Sequence, residues 1–482
     1  MELLASLFVG KPLNILALAV FFLAGYLTRR ILRSMRNVVC TRKNHKGLIL
    51  KISNITRIFI LLIFVMEFAG CATTPLPSSY KPRSINEIRF RDRAQSKSDT
   101  EVRVSAAVPT AEETLELFNA DLIRREIQPV WVKIENHSEH TYYLMSTATD
   151  PNYFSPLEAA YAVSSGLGRS HRNELERYFR WMNFENPILP HTAVSGFIFT
   201  NLDEGEKVVQ ITLIAAEQVK FFTFFLQIPG MRVDYKIVDF QSLYPKDQIV
   251  ELSEGELRST LEKLPCCTTN QDGTAFGDPI NLVVIGNFKN IVAAFARRGW
   301  LPAEETYATA AWKTIKSFLF GSRYRYSPVS PLYFFDRHQD FARQKPRHDI
   351  HERNHLRLWY SRFRYQGRPV FVGQISRDIG VRFTVKTWPP VTHKIDPDID
   401  EARYALVEDL IFSQLIATVG WVKGVEPARA SNPRENLTGD PYFTDGYRSV
   451  LILRQGPIAL NQVKALGWEQ PRKLHLGSPG TD

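Results

Sequence analysis

The chain has 482 residues, of which 44% are hydrophobic, and a formal net charge of +10. That length predicts two to three domains with well-buried cores, and the ordinary hydrophobic fraction argues against a transporter with many spanning helices. Ten basic and two acidic residues precede Cys71, so this short segment carries +8 and the rest of the chain only +2. Because positive charge beside apolar segments directs membrane insertion, the excess indicates targeting and argues against nucleic acid as a partner.

Two apolar runs lie within residues 1–71. The first, 13–27, is followed by four arginines between 29 and 36. It predicts a transmembrane helix with its basic end in the cytoplasm. The alternative is that translation starts at Met35, so that this run is not part of the protein. Both interpretations place the residues after Cys71 on the far side of the membrane.

The second run, 58–71, resembles a bacterial lipoprotein signal, with Cys71 as the lipidated first residue of the mature chain. Phe68 stands where this signal usually has leucine, and Glu67 is uncommon in an apolar segment; the alternative is a transmembrane helix that ends near a cysteine. Ala72, in place of the aspartate associated with inner-membrane retention, would direct the protein to the outer membrane. The resemblance implies a membrane-anchored protein of the bacterial envelope, with its folded part on the periplasmic side.

Residues 72–100 are rich in Pro, Ser, Lys and Arg and predict a disordered linker. Residues 101–230 predict an all-β domain, because runs of alternating Val, Ile, Tyr, Phe and Thr are separated by turn residues. The predicted strands are 102–107, 130–135, 142–145, 195–200, 208–214 and 220–228, with a helical insertion at 157–163 and 171–184. This pattern is typical of an Ig-like sandwich, which we expect to space or bind.

Residues 231–275 predict a connection with a short helix near 254–264, and turn residues at 271–279 predict a domain boundary. Residues 276–425 predict an α+β domain, since strands and helices are interleaved without a regular βαβ repeat. Its predicted strands are 280–285, 332–335, 355–362, 369–374 and 381–386, and its predicted helices are 287–298, 310–320 and 398–415. Residues 426–482 predict a strand at 447–454, a short helical piece at 462–467 and a loose tail.

Five short stretches of the second domain, taken in order, resemble the LssY C-terminal domain family. They are 277–286 (GDPINLVVIG), 298–300 (RGW), 327–335 (SPVSPLYFF), 355–359 (HLRLW) and 392–400 (THKIDPDID). Members of this family occur in bacterial membrane-associated proteins, sometimes fused to a membrane domain of the phosphatidic-acid-phosphatase type, whose motifs are absent from this chain. The resemblance implies envelope association and a shared fold, and it brings no catalytic residues.

His351, Glu352 and His355 match the pattern HExxH. On a helix this spacing puts both imidazoles on one face to hold zinc, while the glutamate accepts a proton from bound water. If these histidines converged with Asp378 or His393, the group could bind a divalent metal for hydrolysis, with Glu352 as the candidate catalytic residue. The alternating residues after His355 instead predict a loop that enters a strand, which favours solvated loop histidines and one packed strand histidine. No cofactor can be assigned from the sequence.

Residues 393–401 contain alternating carboxylates that resemble the opening of a calcium loop, but Glu401 stands where an EF-hand needs glycine. We predict a helix start there instead, at which either Asp396 before Pro397, or Asp398 with Glu401 three residues later, accepts hydrogen bonds from free N–H groups. The turn residues around Asp378 predict a hairpin position. Cys266 and Cys267 are adjacent, and the strain of a bridge between neighbours argues against a disulfide.

Together these patterns favour a binding or interaction module at the membrane or cell wall, with a lipid, a cell-wall component or an envelope protein as its partner. The alternative function is metal-assisted hydrolysis by the cluster of His351, Glu352 and His355. A helix at 351–355 with a third ligand nearby would favour the enzyme, whereas an extended segment would favour binding.

Overall fold

Two groups of β-strands, each with its own helices, make up the part of the chain that the structure describes. The computed structural model describes residues 81–203, 206–228, 239–240, 242–302, 331–347, 352–383, 391–469 and 471. The predicted membrane segments, Cys71, His351 and the predicted helix at 310–320 lie outside these residues. Within the described ranges, no helix combines the length and the apolar character that crossing a membrane requires.

The first strand group forms two antiparallel sheets, with the orders β1-β2-β3-β5 and β4-β6-β7. The strands are β1 Gln95–Ser98, β2 Val102–Ala107, β3 Ile127–Asn136, β4 Tyr143–Leu144, β5 Ala193–Asn201, β6 Glu206–Ala215 and β7 Gln218–Gln227. Each strand predicted between 101 and 230 is present, with small shifts at its ends. Alternation of polar and apolar residues is a local signal, which explains this agreement.

An apolar core is shared by these two sheets. Alternate side chains of β2 and β3 pack with alternate side chains of β6 and β7, away from water. The core includes Val102, Val104, Val130, Val132, Val209, Ile211, Phe222 and Phe224. The first part of the chain is therefore β-rich, as predicted.

The helices of the first group are α1 Ala111–Phe118, α2 Ser146–Thr149, α3 Pro156–Val163 and α4 Arg169–Met182. Helices α3 and α4 form the predicted insertion. Helix α1 was not predicted, although Thr110 and Glu113 form a capping box at its start. These helices pack against the second face of β5 in a core that contains Phe118, Phe179, Phe197 and Phe199.

The prediction of a disordered linker at 72–100 is wrong from Lys81 onward. Residues Ile85–Glu87 and Arg89–Arg93 form short 3-10 helices, and β1 pairs with β2. Phe90 is fully buried, with its ring centroid 6.0 Å from that of Trp131 and 5.7 Å from that of Phe197. The buried ring of Phe90 holds this segment against the first strand group. The segment was predicted to be disordered because most of its other residues are polar.

The second strand group is built on a ten-stranded mixed sheet. Its order is β12-β15-β16-β17-β11-β22-β19-β23, with β18 paired to β17 and β8 paired to β16. The strands are β8 Val250–Leu252, β11 Leu282–Ile285, β12 Leu301–Pro302, β15 Phe341–Pro346, β16 Arg353–Tyr365, β17 Arg368–Phe383, β18 Val391–Ile395, β19 Ile416–Lys423, β22 Tyr447–Leu453 and β23 Lys464–Ala465. Shorter strands β9 Cys267–Thr269, β10 Phe276–Pro279, β13 Tyr333–Phe334 and β14 Arg337–His338 form a second sheet, and β20 Arg434–Glu435 pairs with β21 Pro441–Tyr442.

Helices cover both faces of the ten-stranded sheet. Helices α6 Phe288–Arg297 and α7 Ile399–Ile411 pack on one face, in a core that contains Leu356 and Leu358. Helix α5 Glu254–Lys263 packs on the other face, in a core that contains Trp359. This arrangement leaves two different environments on the two faces of β16 and β17.

Several predicted boundaries differ from the structure. The turn residues at 271–279 lie in the β9–β10 hairpin. The strands predicted at 369–374 and 381–386 are parts of one strand, β17, and β22 lies inside the sheet, parallel to β11. The helical piece predicted at 462–467 is the 3-10 turn Leu460–Gln462 followed by β23. Residues Pro77–Asp482 form one compact unit.

The expectation for the adjacent cysteines is also wrong. Cys266 and Cys267 are joined by a disulfide, with their Cα atoms 3.7 Å apart. The chain bends at Cys266, directly before β9 begins at Cys267, and this bend lets both sulfur atoms meet. The disulfide lies beside Pro265, where α5 leads into the small sheet.

Candidate functional site

A row of polar side chains crosses strands β16 and β17 on the face of the sheet that α5 shares. His355 lies opposite Ser376 and Arg357 lies opposite Gln374 in the antiparallel register. Because side chains alternate along a strand, these residues share one face. All four are buried. They follow directly on the apolar residues Trp359 and Val372 of the same face.

Asp378 stands at the end of this row and brings together three basic side chains. Its Oδ2 atom is 3.0 Å from Arg353 Nε, 3.4 Å from His355 Nδ1 and 3.8 Å from His393 Nδ1. The prediction that Asp378 occupies a hairpin turn is wrong, because it lies inside β17 and is 1% exposed. The turn-like residues around it mark an irregularity in the β17–β18 pairing between Asp378 and Gly380.

Asp378 is charged despite its burial. Burial alone would raise the pKa of this carboxyl group, but the neighbouring His355, Arg353 and His393 together hold the pKa below its ordinary value. A buried carboxylate of this kind is costly unless it is paired, and here the partners come from β16 and β18. The group therefore fastens three strands to each other.

The hydrogen bonds around Ser376 indicate which of its neighbours donate a hydrogen and which accept one. Arg357 donates to Gln374 Oε1 at 2.7 Å, and this contact orients the amide so that its Nε2 donates to Ser376 Oγ at 2.8 Å. The serine hydroxyl is then left to donate to His355 Nε2, 3.0 Å away. This assignment puts the remaining imidazole proton on Nδ1, facing Asp378. Ser376, His355 and Asp378 are all buried, and His355 Nδ1 lies 3.4 Å from Asp378 Oδ2 without a hydrogen bond to any described residue.

The predicted metal residues are only partly brought together. Arg353–His355 lies in a strand, so the helix that HExxH requires is absent there, and His355 is the packed strand histidine that the alternation predicted. Glu352 directly precedes the strand, and His351 lies outside the described residues. His355, Asp378 and His393 do converge. Within the described ranges, however, no three His, Cys, Asp or Glu residues are arranged to hold a metal ion.

A cleft open to solvent lies on the opposite face of the same strands, where the chain gave no recognised motif. Lys345, Asn354 and Arg377 are direct neighbours across β15, β16 and β17. They line a cavity of about 370 Å³. The rest of its lining consists of Trp300, Pro346, Arg347, Ala405 and Asp409. In the sequence, only the alternating basic residues at the end of β15 pointed to this cleft. The same pattern occurs at solvent-exposed strand ends that bind no ligand.

Positive charge dominates this cleft. Its lining has three cations, Lys345, Arg347 and Arg377, against the single carboxylate of Asp409. That carboxylate already accepts hydrogen bonds from Arg298 Nε at 2.9 Å, from Trp300 Nε1 at 2.7 Å and from Lys345 Nζ at 2.8 Å. The cleft can therefore neutralise an anion from outside the protein.

The carboxylates at 393–401 serve the start of α7, as predicted. Asp398 is the N-cap, and its Oδ1 accepts a hydrogen bond from the backbone N–H of Glu401 at 3.3 Å. Asp396 Oδ1 accepts from the backbone N–H of Asp398 at 3.1 Å. Asp400 instead points to the loop before β22, where it accepts from Thr444 Oγ1 at 2.8 Å and from the Asp445 backbone N–H at 2.6 Å.

Comparison with known proteins bears on the second strand group. No curated protein matches the chain. One family model, described as LssY C-terminus, matches residues 259–447. This range contains the Asp378 group, both faces of β16 and β17, and the basic cleft. Residues 259–447 therefore match the LssY-like C-terminal domain that the sequence predicted.

Proposed function

We propose that the protein is a membrane-anchored lipoprotein of the bacterial envelope, and that its LssY-like domain binds a ligand in the cleft beside Arg377. The observation that carries this proposal is the cleft itself: a cavity of about 370 Å³ lined by more positive than negative charge. The Asp378 group on the other face is buried and internally paired, as structural networks are. A binding role needs an accessible surface, and the cleft supplies one.

The first strand group fits this proposal as a spacer. Its two antiparallel sheets, with a shared core, support the expectation of an Ig-like sandwich. Such a sandwich would stand between a lipid on Cys71 and the LssY-like domain. The partner would then be found at the membrane or cell wall, as a lipid, a cell-wall component or an envelope protein, and nucleic acid is not expected.

The anchor is tested by Cys71→Ala in the full chain. We expect the unchanged protein to incorporate radiolabelled palmitate and to remain with the membrane fraction after a salt wash. The Cys71→Ala variant should incorporate none. Equal labelling of the two proteins would contradict lipidation at Cys71, and recovery of the unchanged protein in the cytosolic fraction would contradict the envelope location.

Binding is tested with residues 77–482, the compact unit that lacks Cys71 and both apolar runs, because this separates the cleft from any membrane anchor. We expect this protein to sediment with isolated envelope fragments, and we expect Arg377→Gln in the same background to weaken that sedimentation. Arg362→Gln is the matched control, since Arg362 is exposed on the neighbouring strand, β16, outside the cleft. Equal sedimentation of the Arg377→Gln and control proteins would rule out the cleft as the binding surface.

A second candidate function is metal-assisted hydrolysis. The observation in its favour is the approach of His355, Asp378 and His393 to each other, which the HExxH hypothesis required. In this proposal His351 completes the ligand set and Glu352 accepts a proton from a metal-bound water. Metal analysis of the purified protein after exposure to zinc, manganese and calcium tests it. Retention of one ion, lost in His355→Ala, would support the enzyme, and the absence of any retained ion would remove it.

A further inference from the structure

The side chains that line the cleft also define the chemistry of its ligand. Two guanidinium groups and one ammonium group meet there: Lys345 lies in β15, Arg347 directly follows that strand, and Arg377 lies in β17. Arg377 Nε donates to Asn354 Oδ1 at 3.0 Å, which holds the side chain in place along the row. Its terminal nitrogens have no hydrogen bond to any described residue, and the same is true of the whole Arg347 side chain.

Arginine groups positioned in this way are suited to a phosphate group. A guanidinium group presents paired N–H donors in a plane, which matches two oxygens of one phosphate, and an ammonium group adds a point charge. Lys345 is bound to Asp409, but that carboxylate is shared with Arg298, which lies outside the cavity lining. The surplus of positive charge at the cavity thus exceeds one unit, which favours a doubly charged anion over a single carboxylate.

We propose that the cleft binds a phosphate ester, with Arg347 and Arg377 in contact with the phosphate oxygens and Lys345 beside them. A cavity of about 370 Å³ is larger than a phosphate ion alone needs, and it leaves room for a group such as glycerol or a sugar. The apolar edges of Trp300, Pro346 and Ala405 provide the wall against which such a group would rest. A soluble phosphate ester and the headgroup of an anionic phospholipid share this chemistry. The inference rests on the proposed function, whose ligand it specifies.

Calorimetric titration of the full-length protein with glycerol phosphate and with inorganic phosphate provides the test. We expect saturable binding of glycerol phosphate, weakened about tenfold or more in Arg377→Gln and in Arg347→Gln and unchanged in the Arg362→Gln control. All of these side chains reach solvent, so thermal unfolding of the variants should match that of the unchanged protein. Binding that is equal in all variants, or no binding at millimolar phosphate ester, would overturn the proposal.

The source of the phosphate is distinguished by vesicle flotation with residues 77–482, which lack Cys71 and both apolar runs. Flotation with vesicles that contain phosphatidylglycerol, but not with pure phosphatidylcholine, identifies a lipid headgroup, provided that glycerol phosphate competes. Titration without flotation identifies a soluble ester. Envelope sedimentation that depends on Arg377 but is not reduced by glycerol phosphate would overturn the phosphate assignment and leave the binding function intact. Sedimentation independent of Arg377 would overturn both.

Discussion

At the scale of single residues, Arg448 has the most demanding position in the structure. It is fully buried in β22, and burial lowers the pKa of its guanidinium group to about 10, so it remains charged at neutral pH. Its partners are all backbone carbonyl oxygens, those of Leu261, Leu264, Pro265, Ile280 and Gly424. These carbonyls belong to the end of α5, the turn before β11 and the end of β19. One side chain thus joins three segments whose own backbones leave these oxygens without strand partners.

The substitution Arg448→Lys should therefore destabilise the protein strongly even though it keeps the charge. Lysine has three donors on a single nitrogen and cannot reach carbonyls spread around a planar guanidinium group. We expect a loss of about 3 kcal/mol in the free energy of unfolding, measured by denaturant titration. Gly424 next to it tolerates no side chain, because a Cβ there would lie 2.1 Å from Arg448 Nη1. Arg362→Lys serves as the exposed control, and equal stability of the two variants would contradict this role.

Asp378 is the residue for which sequence reasoning was both useful and misleading. The histidine and carboxylate pattern selected His355, Asp378 and His393, and the structure does bring these three together. The helix implied by HExxH was wrong, because these residues lie in strands. Their contact across β16, β17 and β18 depends on how the strands are aligned, and the spacing of residues within one short motif does not determine that alignment. The hairpin assignment failed for a related reason: turn residues also accompany irregular pairing inside a sheet.

The substitution Asp378→Asn should be costly at neutral pH and less so in acid. The folded protein holds the pKa of this carboxyl group below the ordinary value of 3.8, so its contribution to stability is present above that pH. As the pH falls below about 4, the unfolded chain takes up a proton at Asp378 before the folded protein does, so the contribution is progressively lost. We expect the variant to be about 3 kcal/mol less stable at neutral pH, with a smaller difference in acid. Denaturant titrations across this range test it, and a difference that does not change with pH would contradict it.

At the scale of elements, the sequence predicted those strands and helices whose own residues show the full periodic pattern of apolar side chains. Helix α7 is an example, because its cap at Asp398 and its apolar face are both readable locally. The partners of an element were not readable in the same way. Strand β22 was predicted as a strand beyond the second domain, yet it pairs with β11 from more than a hundred residues earlier. A turn between hairpin strands and a turn between domains have the same composition, so the turn residues at 271–279 did not reveal the β9–β10 hairpin.

Helix α7 is tied to the loop before β22 by a buried group of two carboxylates and one arginine. Arg403 binds Asp445 through both terminal nitrogens, at 2.9 and 2.6 Å, and its Nη1 is 3.3 Å from Asp400 Oδ1. Burial and the nearby Asp445 raise the pKa of Asp400 to about 6, although Arg403 opposes the shift. The folded protein therefore holds a proton on Asp400 more tightly than the unfolded chain does.

The sign of the resulting pH dependence follows from that difference. Between pH 3.8 and about 6 the folded state binds more protons at Asp400, so this group lowers the stability of the protein as the pH rises through that window. Asp400→Asn removes the group that takes up this proton. The unchanged protein's excess in free energy of unfolding over the variant should therefore decrease by an amount on the order of 2 kcal/mol from about pH 4 to about pH 7. Denaturant titrations measure it, with exposed Asp92→Asn as control. If this difference in free energy of unfolding increased with pH, it would contradict a raised pKa for Asp400 in the folded protein.

At the scale of the whole molecule, the two strand groups pack into one compact unit. Val208 and Phe225 of the first group contact the core that α6 and α7 form on the large sheet. Gln210 Nε2 donates to the carbonyl oxygen of Ala293 at 3.1 Å, inside this contact. The sequence predicted two separate domains, since each group has its own apolar pattern. The contact between the two groups depends on a few residues of β6 and β7, and nothing in the sequence distinguishes these residues from the others in those strands.

Arg297 is the side chain that joins the two groups most directly. Its terminal nitrogens donate to Gln210 Oε1 and to Gln414 Oε1, each at 3.2 Å, and its guanidinium group lies 5.3 Å from the centre of the Phe221 ring. Burial, together with the charge of Arg298, lowers the pKa of Arg297, so the group depends on these contacts. Residues from β6, β7 and the end of α7 therefore meet at one cation.

We expect the unchanged protein to unfold in a single calorimetric transition, because neither group can separate without exposing this contact. Arg297→Ala should lower the free energy of unfolding by about 2 kcal/mol and resolve the transition into two, since each strand group retains its own core. Arg89→Ala, at a side chain 88% exposed, is the matched control and should leave one transition. Two transitions in the unchanged protein would mean that the two groups unfold independently. One transition in Arg297→Ala, with full stability, would mean that apolar contacts alone hold the two groups together.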